Sequence, residues 1–362
     1  MALLFMDSFD HYATADLAEK WLPVGTYGTI SIASGGRTSN CIKRVYASSR
    51  NSPSAGVSIA PYRPASTSSG IVGFAVKTAT WSSQQDVNSF LVSVWEGSTL
   101  HLGLYVEDDA TISVYRGSTA NQVGQSAGGL VDGQWNYIEW AWEINDTTGT
   151  TEVRLNGTPI LTATGKDTRN GGASGVWTSV RLWGHDWIPT SPTDTYIDDL
   201  YLLDKTTGTY RSNNDFWGDT SIKYLVPNGD VGGQIQWDRT GSGLTYNYDA
   251  VKETSPDDDT TYVSTDVVDE RDLYDFPSVT AGATIYGVQA VISAKKGDTG
   301  SAQIAAVCKS DTVEEEHPYP LGIASDSAYN FYLFPWNGDP KDQTTWTESR
   351  LNAAQFGPKK TA

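Results

Sequence analysis

The sequence predicts an all-β chain built as two sandwiches, a large jelly roll followed by a smaller β-sandwich. Three observations carry this. Apolar and polar residues alternate over short segments, the period of a half-buried strand. Aromatics make up 11% of the 362 residues, with 13 Trp and 19 Tyr, beside 35 Gly for turns; aromatic residues favour pleated surfaces. Helical periodicity is almost absent before residue 340.

The clearest strand is Tyr137–Ile144. Ile138, Trp140, Trp142 and Ile144 fall on one face, and Tyr137, Glu139, Ala141 and Glu143 on the other. A polar turn at Asn145–Gly149 leads to Thr151–Leu155. Asn156-Gly157 then favours a tight primed turn into Ile160-Leu161. Similar stretches lie at Ile71–Lys77, Phe90–Trp95, Leu100–Val106, Thr111–Tyr115, Val180–Trp183 and Tyr196–Leu203. About ten strands at this spacing make a two-sheet sandwich or jelly roll. Gly124–Gly129 and Gly171-Gly172 lack the Lys-Ser/Thr of a phosphate loop and read as loops.

The polar run Asp204–Thr209 marks the boundary, giving domains 1–205 and 206–362. In the second, Ser221–Val226 leads into a turn at Pro227–Asp230, and Thr260–Ser264 follows the acidic run Asp257–Asp259. Thr284–Ala294 is expected to pair with Ser301–Lys309 as a hairpin, and Phe331–Phe334 adds a strand. One short helix follows residue 345. Thr345 with Glu348 fits a capping box, with Thr347 an alternative cap, and Gly357-Pro358 is its stop signal. Leu351 and Phe356 should pack it on the second domain.

Asp and Glu total 43 against 25 Lys and Arg, a formal charge of −18. Such a surface repels nucleic acid and anionic membranes. No apolar run is long enough to span a bilayer, and the N-terminus lacks the basic leader of a signal peptide. The two cysteines, Cys41 and Cys308, fall in different domains, which suits free thiols in a reducing cytosol.

The first half resembles the concanavalin A-like lectin/glucanase superfamily in its laminin-G-like branch. Phe5-Met6-Asp7-Ser8-Phe9, Gly133–Glu139, Thr151–Gly157 and Ile197–Tyr201 carry the resemblance, which implies a jelly roll with its first and last strands side by side. The second half resembles a module of tailed-bacteriophage virion proteins, through Asn213–Asp219, Pro227–Asp230, Gln236-Trp237, Pro256–Val263, Asp272–Tyr274, Trp346-Thr347 and Leu351–Gly357. Together they imply a non-enzymatic virion component of tail, fibre or spike, or head decoration. It would assemble in the bacterial cytoplasm with itself, as a homotrimer, with other virion proteins, and with host surface glycan.

Two other functions are weighed beside that one. Glucanases of this superfamily carry two Glu at i and i+4 with an Asp between. Here Glu139 and Glu143 stand at that spacing, but Ala141 holds the middle. A retaining glycosidase needs carboxyls ~5–5.5 Å apart, whereas Cα atoms four residues apart on a strand lie ~13 Å apart. A glycan-facing or solvated strand face is the plainer reading. A sugar-binding or interface patch would draw on Trp183, His185 and Trp187. The resemblance also implies a structural calcium near the first and last strands, held by Asp7 with Asp198 or Asp199; alternation sends the last two to opposite faces. The histidines have no metal-ligand or triad spacing. Asn145 and Asn156 match the glycosylation acceptor only in form.

Overall fold

The structure, a computed structural model, describes residues 3–24, 29–45, 56–59, 67–81, 90–171, 174–183, 194–205 and 215–362. It is all-β, in antiparallel sheets, and divides into two compact units. The first takes Met1–Thr207 with Ser212–Ile222, and the second takes Gly208–Arg211 with Lys223–Ala362. The boundary expected at 205/206 therefore differs: residues 215–222 belong with the first unit. Among the described residues no helix is long and apolar enough to cross a membrane.

In the first unit the chain runs through β1 (Leu3–Asp7), α1 (Leu17–Lys20), β2 (Leu22–Val24), β3 (Thr29–Ser34), β4 (Asn40–Val45) and β5 (Gly56–Ile59). It continues through β6 (Ser69–Thr78), β7 (Phe90–Glu96), β8 (Thr99–Val106), β9 (Thr111–Arg116) and β10 (Gln122–Gly129). Then come β11 (Asn136–Glu143), β12 (Gly149–Leu155), β13 (Thr158–Lys166), β14 (Ser179–Leu182) and β15 (Thr195–Leu203). One sheet has the order β13-β12-β11-β6-β15-β4-β3, with β1 also on β15; the other has the order β10-β9-β8-β7-β14-β5-β2. The first and last strands are thus neighbours, Asp7 opposite Leu200.

The core lies between the two sheets. Ile138, Trp140 and Trp142 are fully buried on one face of β11, where Trp142 meets Trp177 edge-on at 5.6 Å. Trp140 donates to Thr151 Oγ1 at 2.8 Å, so its indole N–H is buried with a partner. Burying side chains of this size supplies ~1.5–3 kcal/mol each. The Gly-rich β10 was expected as a loop. Its backbone completes the sheet edge against β9, and Val123 is its one large apolar side chain, so no alternation shows.

The second unit contains β16 (Gly229–Ile235), β17 (Asp238–Thr240), β18 (Tyr262–Ser264), β19 (Asp272–Asp275) and β20 (Val288–Ala294). After them come β21 (Gln303–Ser310), β22 (Val313–Glu316), β23 (Leu321–Gly322), β24 (Asn330–Trp336), α2 (Glu348–Ala353) and β25 (Gln355–Lys360). The hairpin expectation fails. β20 pairs with β24, Val291 opposite Leu333, while β21 lies in the six-stranded sheet beside β25, β22 and β23. The link Lys295–Gly300 crosses between layers instead of turning within one. Ala306 and Cys308 of β21 share a core with Tyr332, Phe334 and Trp336 of β24, against which Val288, Ala290 and Ile292 pack. This is the smaller sandwich. Asp272 is a polar hub in it: the amides of Gln236 and Trp237, the Asn247 side chain and the Tyr274 hydroxyl all donate to its carboxylate.

Other details also differ. Ser221–Val226 forms no strand. Thr347, not Thr345, caps α2, accepting from the Arg350 amide at 3.3 Å. Gly357-Pro358 lies inside β25 and does not stop the helix. A Cβ on Gly357 would stand 1.9 Å from the Asp272 carbonyl oxygen, so only glycine allows that strand to approach. Both cysteines are fully buried, one in each unit.

Candidate functional site

The face of β11 opposite the tryptophans carries Tyr137, Glu139, Ala141 and Glu143. Pairing sets their neighbours: Arg154 of β12 stands opposite Glu139, and Gly73 of β6 stands opposite both Glu139 and Tyr201 of β15. Gly73 leaves room for the Tyr201 ring, which a Cβ would meet at 2.1 Å.

The described part of the segment ending at Ile222, residues 215–222, lies across this face as a strap. Phe216 stacks under the Arg154 guanidinium at 4.0 Å. Trp217 stacks on Tyr201 at 4.3 Å, and its amide donates to the Tyr201 hydroxyl at 3.3 Å. Gly218, at φ +81°, turns its amide to Glu139 Oε1 at 2.8 Å. Arg37 then ties the end down, donating to Asp219 Oδ1 at 2.6 Å and to the Thr220 carbonyl at 2.7 Å. The Ile222 amide donates to Asp199 Oδ1 at 2.6 Å.

Glu139 is fully buried beneath this strap. Its Oε1 also accepts from the Tyr201 hydroxyl at 2.6 Å. Burial holds the Tyr201 phenol well above its ordinary range, so it stays a donor. Glu143 is exposed. The two carboxylates therefore occupy different environments, one buried with two donors on Oε1 and no partner at Oε2 among the described residues, and one in solvent, with Ala141 between them.

Asp198 and Asp199 do not split across the sheet as alternation would have it. The register of β15 shifts between Asp198 and Tyr201, and Asp199 adopts φ +49°. This bulge lies where β15 leaves β4 and takes up β1. Both carboxylates reach Arg37: its amide donates to Asp198 Oδ2 at 2.6 Å, and its Nη1 donates to Asp199 Oδ2 at 2.9 Å. Burial, with the Asp199 charge alongside, pushes the Asp198 carboxyl up to about 7. Asp199 is also raised by burial, against the pull of the Ile222 amide and Arg37.

The folded pKa of Asp198 lies above the unfolded value of about 4. Between those values the folded chain keeps a proton that the unfolded chain has lost. The contribution of this group to stability is complete below about pH 4 and is lost as pH rises to 7. Carboxyl-detected NMR should give a midpoint near 7 for Asp198; a midpoint near 4 would contradict the burial argument.

Asp7 is engaged elsewhere. Its Oδ2 lies 2.9 Å from Lys20 Nζ, with both side chains fully buried, and accepts from the Tyr12 hydroxyl at 2.7 Å. Its Oδ1 accepts from the Phe9 amide at 2.8 Å. Lys20 also donates to His11 Nε2 at 2.8 Å. Burial, with the Lys20 ammonium alongside, holds that imidazole down to about 3, hence neutral and able to accept. An ammonium thus stands at Asp7 where the resemblance implied calcium. Among the described residues no cluster of three or more His, Cys, Asp or Glu side chains is placed to hold a metal ion.

Trp183 is fully buried at φ +55°, a core residue and not a platform. His185 and Trp187 lie outside the described residues. A shallow cavity of about 450 Å³ borders Asn145 and Ser174; its charged groups, Arg169 and Asp146, pair with each other at 3.2 Å.

Sequence reasoning missed Arg37 and the strap, whose partners lie far along the chain. It also missed a row of side chains on the same sheet, at the far side of Asp198 and Tyr137. Lys43 of β4 stands opposite Tyr196 of β15, and Tyr196 opposite Lys77 of β6. The ammonium groups lie over the rings: Lys43 at 5.5 Å and Lys77 at 5.4 Å from Tyr196, and Lys77 at 4.9 Å from Trp135.

Fold and site together define a class: an all-β protein of two units, with a strapped sandwich face in the first. No family model matches the chain, and no curated protein matches it. Among solved structures it is similar to an alginate lyase from Chlorella virus, at 11% identity and TM-score 0.40, over 56% of this chain and 99% of that one. It is similar to domain 4 of an extracellular arabinanase from Geobacillus stearothermophilus, at 17% identity and TM-score 0.35, over 51% of this chain and 81% of that one. A carbohydrate esterase of Shiga toxin-encoding bacteriophage phi24B is similar at 12% identity and TM-score 0.35, over 55% of this chain and 99% of that one. None of these likenesses carries a functional assignment to this chain.

Proposed function

We propose that this chain is a non-catalytic binding and assembly protein, a structural component of a tailed-phage virion. The observation that carries the non-catalytic part is the state of Glu139. Its Oε1 is taken by the Tyr201 hydroxyl and the Gly218 amide, and residues 215–222 cover the strand face where a substrate would lie. A glycosidase needs two carboxyls flanking one bond, and Glu143 stands apart in solvent. The virion part is supported by the resemblance of the second half to phage modules. A homotrimer and other virion proteins as partners belong to the same reading.

Two measurements test it. Incubation with a panel of polysaccharides should release no reducing ends, and Glu139→Gln, which keeps Oε1 as an acceptor, should behave identically. Product release abolished by Glu139→Gln or Glu143→Gln would overturn the non-catalytic reading. Light scattering of the purified chain should give three copies per particle; a monomer at high concentration would overturn the trimer. Electron microscopy of assembled particles would test the virion assignment, and absence of the chain from them would sink it.

A further inference from the structure

We propose that the row Lys43–Tyr196–Lys77–Trp135 on the first unit's eight-stranded sheet is a binding platform for an acidic saccharide of the hexuronate class. This deepens the binding part of the function proposed above and rests on it.

The row is built by register. Tyr196 pairs with Lys43 on one side and Lys77 on the other, and Trp135 immediately precedes Asn136, which pairs with Val76. Cations and rings therefore alternate across four adjacent chain segments. All four side chains are half-buried, so each shows one surface to solvent.

Trp135 is held before any ligand arrives. Asn136, almost fully buried, accepts from the Val131 amide at 2.9 Å and donates to the carbonyls of Val131 and Gln134. The Gly133 amide donates to the Thr78 carbonyl at 2.8 Å. A ring on such a support loses little freedom on binding, which favours affinity.

The charges choose the ligand. Lys43 is matched by Asp194 at 2.6 Å. Lys77 makes no ion pair among the described residues, and its contacts there are the faces of Tyr196 and Trp135. On a chain of charge −18, an ammonium between two aromatic rings is an anion site with apolar walls. A hexuronate matches both features. Its C–H face stacks on an indole or phenol ring, and its carboxylate pairs with the ammonium. A neutral sugar would use the rings and leave Lys77 unpaired.

The test is calorimetric titration of the full chain with oligogalacturonate, oligomannuronate and hyaluronan oligomers, beside fully methyl-esterified oligogalacturonate and a neutral galactan. At least one acidic oligomer should bind. Its affinity should fall about tenfold or more in Lys77→Met and in Trp135→Ala, the loss of one such contact. It should survive in Lys77→Arg, and weaken as salt rises. Lys43→Met should matter less, because Asp194 already engages that ammonium. Unchanged thermal midpoints would show the variants folded. Equal binding of charged and esterified oligomers, or undiminished binding by Lys77→Met, would overturn the platform while leaving glycan contact standing. Binding to no acidic oligomer would overturn it too, and the light-scattering result would still judge assembly on its own.

Discussion

Replacing Asp7 by Ala should lower the unfolding midpoint of the first unit by about 10 °C. Asp7 and Lys20 are both fully buried and lie 2.9 Å apart. Removing one partner of a buried pair leaves an uncompensated charge and costs about 3–5 kcal/mol. In a unit of this size each kcal/mol is worth ~2–4 °C. The Tyr12 hydroxyl would lose its acceptor as well, while the Trp21 indole N–H, which Asp7 shares with the Tyr12 oxygen, would keep only the latter. Lys20→Met should be costly for the mirror reason, while Asp7→Leu with Lys20→Met should recover much of the loss, since a buried pair can be replaced by apolar groups. Calorimetry of the three variants checks this, and a shift under 2 °C in Asp7→Ala would contradict it. Added calcium should leave the wild-type midpoint unmoved, because nothing gains affinity for the folded state when an ammonium already neutralises the carboxylate.

Trp217→Ala should release the strap while the sandwich beneath it stays folded. Trp217 is 7% exposed and stacks on Tyr201 at 4.3 Å. Losing a buried Trp costs about 3–5 kcal/mol. The strap makes no strand ladder, so the loss should appear as local opening of residues 215–222, not global unfolding. Hydrogen exchange at the Gly218 and Ile222 amides should quicken about a hundredfold, the factor for about 3 kcal/mol. Limited proteolysis should cut within the segment. Unchanged exchange at both amides would show that Arg37 and Glu139 hold the strap without the indole.

The strap also explains why the fold was partly legible and the site less so. β11, β12 and β13 could be read directly because Trp140, Trp142 and their neighbours alternate and Asn156-Gly157 marks the turn. The partner of β20 could not, since Lys295–Gly300 is a plausible hairpin turn and sequence offers no sign that it crosses the sandwich. The Thr347 cap lay two residues from a motif that looked better. At the site, Glu139 and Glu143 were visible by spacing, but what covers Glu139 begins some 75 residues later. Asp198 and Asp199 were assigned to opposite faces because alternation assumes a regular strand, and a left-handed residue at a bulge breaks that assumption. The Lys43–Trp135 row joins four distant segments, and only register reveals it.

The two thiols have a further consequence. Cys41 and Cys308 are fully buried in separate units, and burial pushes the Cys41 thiol up to about 12 and raises Cys308 as well. Neither forms the thiolate that oxidants and disulfides attack at neutral pH. The two thiols of the folded chain therefore stay reduced and unpaired at neutral pH whether the surroundings are reducing or oxidising.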